Sequence, residues 1–326
     1  MDVGKLIERT EGMARACRTN VKISQNPGAL TGLLIGLESQ RGRDKLTFVT
    51  SPEIASFGDW VEQLIAESTG KEGKGILPVV GEALGSPEVY SGDRVFVHLR
   101  LGKDARQSAV LKALEAAGHP VMVLELPDRY DLGAQYFLWE FATAVAGHVL
   151  EINPFDQPNV ESAKVMARQM VAEYEQTGKL PKADYAPLSA EALTGFLGDP
   201  APNAYLSLQA YVTPTPEAAA TLTAIRLKLR DTYKVATTLG FGPRFLHSTG
   251  QLHKGDGGNG LFVQIISGAE ADLPIPDEAG HDASAMSFQT LKESQALGDA
   301  AALEAAGRRV LRLKIESTSD LAKLGA

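Results

Sequence analysis

Apolar residues along this chain alternate between a period near 3.6 and a period of two. Residues 3–19 carry Leu6, Ile7, Met13 and Cys17 among polar neighbours, which reads as a helix. Ala29 to Leu37 is apolar and interrupted by Gly, and it reads as a second helix. Asp44 to Thr50 has the composition of a strand. Ser51-Pro52-Glu53 then predicts a helix start, with Ser at the cap and Pro at the first helical position. The helix would bury Ile54, Phe57, Val61, Leu64 and Ile65 and turn Gln63 and Glu67, one turn apart, the other way.

The alternation continues. Arg94–Arg100 and Pro120–Leu126 read as strands, and residues 107–117, 132–147 and 160–177 as helices. Strands alternating with helices over 45–177 predict an α/β fold with a mostly parallel sheet covered on both faces. Such sheets bind ligands at the carboxyl ends of their strands. Thr177 to Asp184 reads as a polar connector. A smaller α/β unit follows: a strand at Tyr205–Val212, a helix at Pro216–Tyr233 capped by Thr215, a Gly-rich loop, a strand at Leu261–Ile266, a helix near Ala285–Ala305 and a last strand at Arg309–Ile315. The expected domains are 1–180 and 200–326. No internal repeat is visible, and Gly255–Gly260 lacks the spacing of a phosphate-binding P-loop.

A length of 326 residues suits about two domains, with 44% hydrophobic and 22% charged residues as in ordinary soluble proteins. The net charge of −8 argues against nucleic acid or a membrane surface as the main partner. It leaves room for an anionic substrate in a locally positive site. Cys17 is the only cysteine, so no intrachain disulfide can form, and a reducing cytoplasm is the expected setting. No apolar run has the ~18 residues of a membrane span, and the N-terminus lacks a signal peptide's apolar core.

Three strings hold candidate chemistry. In Asn153-Pro-Phe-Asp-Gln157-Pro-Asn159-Val-Glu-Ser-Ala-Lys164 an apolar run gives way to a tight loop and a new helix. Pro158 would sit in its first turn, and Gln157 and Lys164, seven apart, would project from one helical face. A plain helix cap, with Asp156 or Asn159 capping, is the alternative. In Gln63-Leu-Ile-Ala-Glu67-Ser-Thr-Gly-Lys71 the alternative is a solvated face with a weak Glu67–Lys71 surface pair. The string from Arg244 through His247 to His253 and Gly255 puts two of the six His in one expected loop. Such a pair suits acid/base work near neutral pH better than metal binding, since no Cys or acidic ligand has a useful spacing nearby. His98 sits within a strand, and His119 and His148 at element boundaries, where core or surface roles are the simpler reading.

Together these strings resemble the phosphoglucose isomerases. That family carries Phe-Asp-Gln, any residue, Gly-Val-Glu, two residues, Lys, and residues 155–164 match except that Asn159 stands for Gly. Asn tolerates the positive φ that such a Gly suggests. The family's Gln, three residues, Glu-Ser-Asn-Gly-Lys is matched over 63–71 with Thr69 for Asn. Its Gln-His…Gln-Leu-Ile-His-Gln-Gly segment resembles 247–255, one residue shorter between the His. The resemblance implies a three-layer sugar-isomerase (SIS-like) domain followed by the smaller unit. It implies interconversion of glucose 6-phosphate and fructose 6-phosphate through a cis-enediol, without cofactor or metal. On that match Glu67 is the base, His247 and Lys164 open the sugar ring, and Gln63 and Gln157 orient hydroxyls.

Two departures matter. The His segment follows Lys164, whereas in single-function isomerases it lies between the other two. That order, with Asn26-Pro-Gly28 and Gly42-Arg-Asp-Lys-Leu-Thr47, resembles isomerases fused to transaldolase. The Ser/Thr-rich phosphate loop and the Gly-Gly-Arg motif are both absent from the chain. The resemblance therefore covers the second half of a complete isomerase. It implies as partners an N-terminal isomerase half, a transaldolase and a second copy in a homodimer. The competing expectation is a non-catalytic sugar-phosphate-binding or assembly module of the same fold.

Overall fold

In a parallel sheet every strand needs a crossover, and the helices that make the crossovers bury both faces. The computed structural model describes residues 2–268 and 271–325, and its two larger sheets are parallel. In chain order the elements are α1 (Val3–Ala16), α2 (Pro27–Gln40), β1 (Lys45–Thr50), α3 (Phe57–Thr69), β2 (Leu77–Val79), β3 (Arg94–Leu101), α4 (Ser108–Ala116), β4 (Val121–Leu126), α5 (Leu132–Val149) and α6 (Val160–Thr177). There follow α7 (Ala190–Leu197), β5 (Tyr205–Tyr211), α8 (Pro216–Tyr233), β6 (Ala236–Phe241), α9 (Gly250–Gly255), β7 (Gly260–Ser267), β8 (Pro274–Ile275), β9 (Met286–Ser287), α10 (Phe288–Ala305) and β10 (Arg309–Ile315). The chain divides into two compact units, Met1–Gln157 with Gly255–Gly257, and Pro158–Lys254 with Gly258–Ala326.

Among the described residues each unit holds one four-stranded parallel sheet, and β8 and β9 add a two-stranded antiparallel pair to the second. The first sheet runs β2-β1-β3-β4 and the second β10-β7-β5-β6. Numbered within its own unit, each sheet has the order 2-1-3-4. The strand order thus repeats although the residues do not, which the sequence did not reveal. In both sheets the chain reverses its direction of winding between the first and third strands, the position that opens a crevice at the carboxyl ends. Ser51 sits at that position in the first unit. Its hydroxyl donates to Asp104 at 2.6 Å and accepts from the Leu101 N–H at 3.0 Å, so it ties the ends of β1 and β3 instead of capping a helix. A short 3-10 turn, Pro52–Ile54, precedes α3, which begins at Phe57. Thr215 does cap α8 as expected, accepting from the Ala218 N–H at 3.2 Å.

The faces of the two sheets differ. In the first, Leu46, Phe48, Val95, Val97 and Leu99 pack on α3 and α5, with Phe48 edge-on to Trp139 at 5.1 Å. Val49 and Phe96 pack with Leu111 and Leu114 of α4 on the other face. In the second sheet one face is aliphatic, with Leu206, Leu208, Leu261, Val263 and Leu313 against Leu222 and Ile225 of α8. The alternate positions on β5 and β7 are Tyr205, Ser207, Gln209, Tyr211, Phe262 and Gln264, all buried. A polar and aromatic sheet face of this kind needs hydrogen-bonding partners above it.

Glycine explains how closely α2 lies on α5. A Cβ at Gly32 would stand 2.4 Å from the Ala142 carbonyl oxygen and 2.6 Å from Val145 Cβ, and one at Gly36 would stand 2.8 Å from Val149 Cβ. Helix propensity alone favours Ala over Gly by about 0.8–1 kcal/mol. Here the clash with backbone outweighs it, and Gly32→Ala is expected to destabilise the protein by about 1–3 kcal/mol in urea unfolding. Gly195→Ala in α7, where nothing lies within 4 Å, is expected to be neutral or stabilising.

Candidate active site

The first unit joins two of the three strings through one ammonium. Val61 and Ile65 bury one side of α3, which leaves Gln63 exposed and Glu67 half-buried on the other. The Gln63 amide donates to the Glu67 carboxylate at 3.2 Å. One turn later the helix ends at Gly70, and Thr69 fixes the exit by donating to the Ile65 carbonyl at 2.7 Å and accepting from the Ile76 N–H at 3.0 Å. Lys71 is fully buried. Its Nζ donates to the Asn153 carbonyl at 2.8 Å, to the Asp156 carboxylate at 2.9 Å and to the Asp156 carbonyl. Lys74 adds a donation to the Leu150 carbonyl at 2.6 Å. The Glu67–Lys71 surface pair expected from spacing is therefore wrong, because the ammonium turns inward to carbonyls brought near by the fold. Hydrogen bonding to Lys71 holds the Asp156 carboxyl below the usual range.

Gln157 ends the first unit as an exposed residue outside any helix or strand, and α6 begins only at Val160. Pro158 lies before the cap, not in the first turn. Gln157 is consequently off the helix, and the shared face with Lys164 that a continuous helix would create does not form. Asn159 is the cap residue, with φ of −94°, so the positive φ expected from its replacement of Gly is absent. It acts through hydrogen bonds instead. Its N–H donates to Gln251 Oε1 at 2.8 Å, and Gln251 Nε2 donates back to Asn159 Oδ1 at 2.7 Å.

That reciprocal pair fastens the start of α6 to α9 in the second unit. Lys164, exposed on α6, and His247, exposed at the end of a 3-10 turn over Arg244–His247, line one cavity of about 100 Å³. Leu246, Gly250, Lys254 and Gln295 complete most of its wall. The expected loop is thus two short helical pieces that give its two His opposite environments. His253 is fully buried between Tyr205, Phe245 and Phe262, its Nδ1 3.4 Å from the Gln209 amide. Burial, reinforced by the charges of Lys254 and Arg308, pushes the His253 imidazole well below its ordinary 6.5. It stays neutral, whereas His247 is exposed.

Lys254 and Asp299 went unassigned in the sequence. They form a buried ion pair at 2.6 Å, 45 positions apart in the chain and with no spacing signal to find it. Arg308 donates to the His253 carbonyl at 3.0 Å and the Lys254 carbonyl at 2.9 Å, which satisfies orphan acceptors at the end of α9. His98 is buried in β3, where desolvation lowers its pKa. Among the described residues no group of three or more His, Cys, Asp or Glu could hold a metal ion, and no helix is long and apolar enough to cross a membrane.

Two outcomes follow from this geometry. The folded imidazole of His253 remains neutral, whereas the unfolded one takes up a proton below about 6.5. Acidification therefore favours unfolding from that pH downward, and His253→Gln should flatten the stability profile by up to about 1.4 kcal/mol per pH unit, read from urea midpoints between pH 7 and 5. Lys71→Met removes the donor shared by the Asn153 and Asp156 carbonyls, at about 1–3 kcal/mol. Hydrogen exchange should then accelerate over residues 150–157 while the second unit keeps its protection.

No family model matches the chain. Over 208 residues it is 26% identical to the glucose-6-phosphate isomerase of Methanocaldococcus jannaschii, covering 52% of this chain and 51% of that protein. Over 166 residues it is 30% identical to the glucose-6-phosphate isomerase of Heliobacterium modesticaldum, covering 38% and 37%. Over 204 residues it is 28% identical to that of Acholeplasma laidlawii, covering 50% and 48%. The chain spans about half the length, or less, of these curated relatives. Among solved structures, a hypothetical protein of Thermus thermophilus aligns with 99% of this chain and 86% of its own at 13% identity and a TM-score of 0.33. The C-terminal domain of glucosamine-fructose-6-phosphate aminotransferase from Francisella tularensis aligns with 99% and 91% at 11% identity and a TM-score of 0.25. These three relatives are thus isomerases of a sugar phosphate by name.

Proposed function

We propose that this chain carries an aldose–ketose isomerase activity that interconverts glucose 6-phosphate and fructose 6-phosphate in the cytoplasm. The observation that carries the reading is the cavity shared by Lys164 and His247, which lie far apart in sequence. The sequence similarity to glucose-6-phosphate isomerases supports the substrate class.

In this reading His247 and Lys164 move a proton between the ring oxygen and O1 and so open the ring. Glu67 then removes the proton from C2 and returns it to C1 through a cis-enediol. The adjacent carbonyl already acidifies that proton, so a carboxylate is a sufficient base. Gln63 hydrogen-bonds Glu67 and sets its orientation, and Gln157 orients a sugar hydroxyl. A phosphate loop and an enediolate-stabilising Arg are supplied by a separate N-terminal isomerase half. A transaldolase and a second copy of the chain are further partners in this scheme.

The test is exchange of the C2 proton of glucose 6-phosphate with deuterium, alongside a coupled isomerase assay. Glu67→Gln should lower both rates by about 10²–10⁴. Calorimetry should show 6-phosphogluconate binding to the variant as it does to the unaltered chain. An undiminished rate in Glu67→Gln would remove the base assignment. Binding of 6-phosphogluconate with no exchange at all, even with the N-terminal isomerase half supplied, would favour a sugar-phosphate-binding module instead.

A further inference from the structure

We infer that Lys254 is a third working cation of the ring-opening cavity, held by Asp299 so that its ammonium donates a hydrogen bond to the sugar's ring oxygen. The inference rests on the isomerase reading and adds to it a residue which that reading does not use. Lys254 lines the cavity together with Lys164 and His247. Those two are exposed on its rim, whereas Lys254 is only 5% exposed. Its Nζ donates to Asp299 Oδ1 at 2.6 Å and lies 3.4 Å from the Gly250 carbonyl, and Gly250 is itself part of the cavity wall. An ammonium has three N–H groups, so one is left for a ligand.

Stability does not explain this arrangement well. Both side chains of the pair are buried, and desolvating two charges commonly offsets their attraction. An apolar pair of similar volume would serve the core as well. The second carboxylate oxygen of Asp299 has no hydrogen-bond partner among the described residues, although it is buried. The pair is therefore less completely satisfied than a purely structural one would be. What it achieves is a fixed positive charge in a poorly solvated wall, where a donor aimed at developing negative charge acts most strongly.

Ring opening needs such a donor. His247 takes the proton from the O1 hydroxyl, and the O–H electron pair becomes the second bond of the C1 carbonyl. The C1–O5 bond breaks, and O5 receives its electron pair and a proton from Lys164. Lys254 forms no covalent bond and keeps its protons. It hydrogen-bonds O5 as charge gathers there. Asp299 is the positioning residue.

Exchange between the α and β anomers of glucose 6-phosphate, followed by two-dimensional exchange NMR, reads ring opening without isomerisation. Lys254→Met alone leaves a buried carboxylate unpaired and can unfold the protein. The informative variant is Lys254→Met with Asp299→Leu, which removes both charges and should melt cooperatively. Its catalysed anomer exchange is expected to fall by about 10²–10³ with unchanged affinity for open-chain 6-phosphogluconate. Lys254→Arg should restore most of the loss. Asp299→Asn, which keeps the cation but loosens it, should give an intermediate rate. Wild-type anomer exchange in the folded double variant overturns the inference and leaves the isomerase reading standing. Failure of the unaltered chain, with the N-terminal isomerase half supplied, to exchange anomers faster than buffer overturns both.

Discussion

A lysine ammonium that cannot reach water must find oxygen acceptors, and in the first unit Lys71 finds them on the loop that ends the unit. The consequence is geometric. The exit of α3, which carries Gln63 and Glu67, and the segment Asn153 to Asp156 cannot move independently. Two short strings with nothing in common but polarity become opposite sides of one hydrogen-bonded node. The charge is compensated by the exposed Asp156 carboxylate on one side and by carbonyl dipoles on the other, which costs less desolvation than a buried carboxylate would.

The second unit uses the same economy of contact with different chemistry. Its sheet repeats the strand order of the first, yet only one of its faces is aliphatic. The other presents Gln209, Tyr211 and Gln264 to α9 and α10, where Gln264 donates to the Ala296 carbonyl at 3.0 Å. Burial beside Asp299 raises the Tyr211 phenol well above its ordinary value, so it remains a neutral hydroxyl. This face is therefore polar, with neutral side chains at His253 and Tyr211 and the Lys254–Asp299 ion pair beside it. Asn159 and Gln251 tie the start of α6 to α9, and Lys164 further along α6 lines the cavity with His247.

Glycines set a second constraint. Where α2 crosses α5 in the first unit, and where Gly298 of α10 meets the Ala167 backbone in the second, a single Cβ would collide with main chain. The second contact bears on the candidate site because Ala167 also lines the cavity. Backbone-to-backbone packing keeps α6 at a defined height on α10 and so sets how far the Lys164 side chain extends.

The sequence by itself determined most of the elements. The periods marked α6, α8 and β10 at their observed bounds, because each has a long uninterrupted pattern and clear end signals. It also marked Glu67, His247 and Lys164 as the residues to watch. Several elements escaped it: β2 has three residues and α9 six, too few to establish a period, and α7 and β6, the latter inside the expected Gly-rich loop, went unassigned. The polar partnerships escaped it as well. Whether Lys71 met water, Glu67 or a distant carbonyl depended on where residues 153–156 came to lie, and whether His253 was neutral depended on three aromatic rings from three other elements. Charge state and hydrogen-bond partner are properties of an environment assembled by long-range contacts, so only the tertiary structure could decide them.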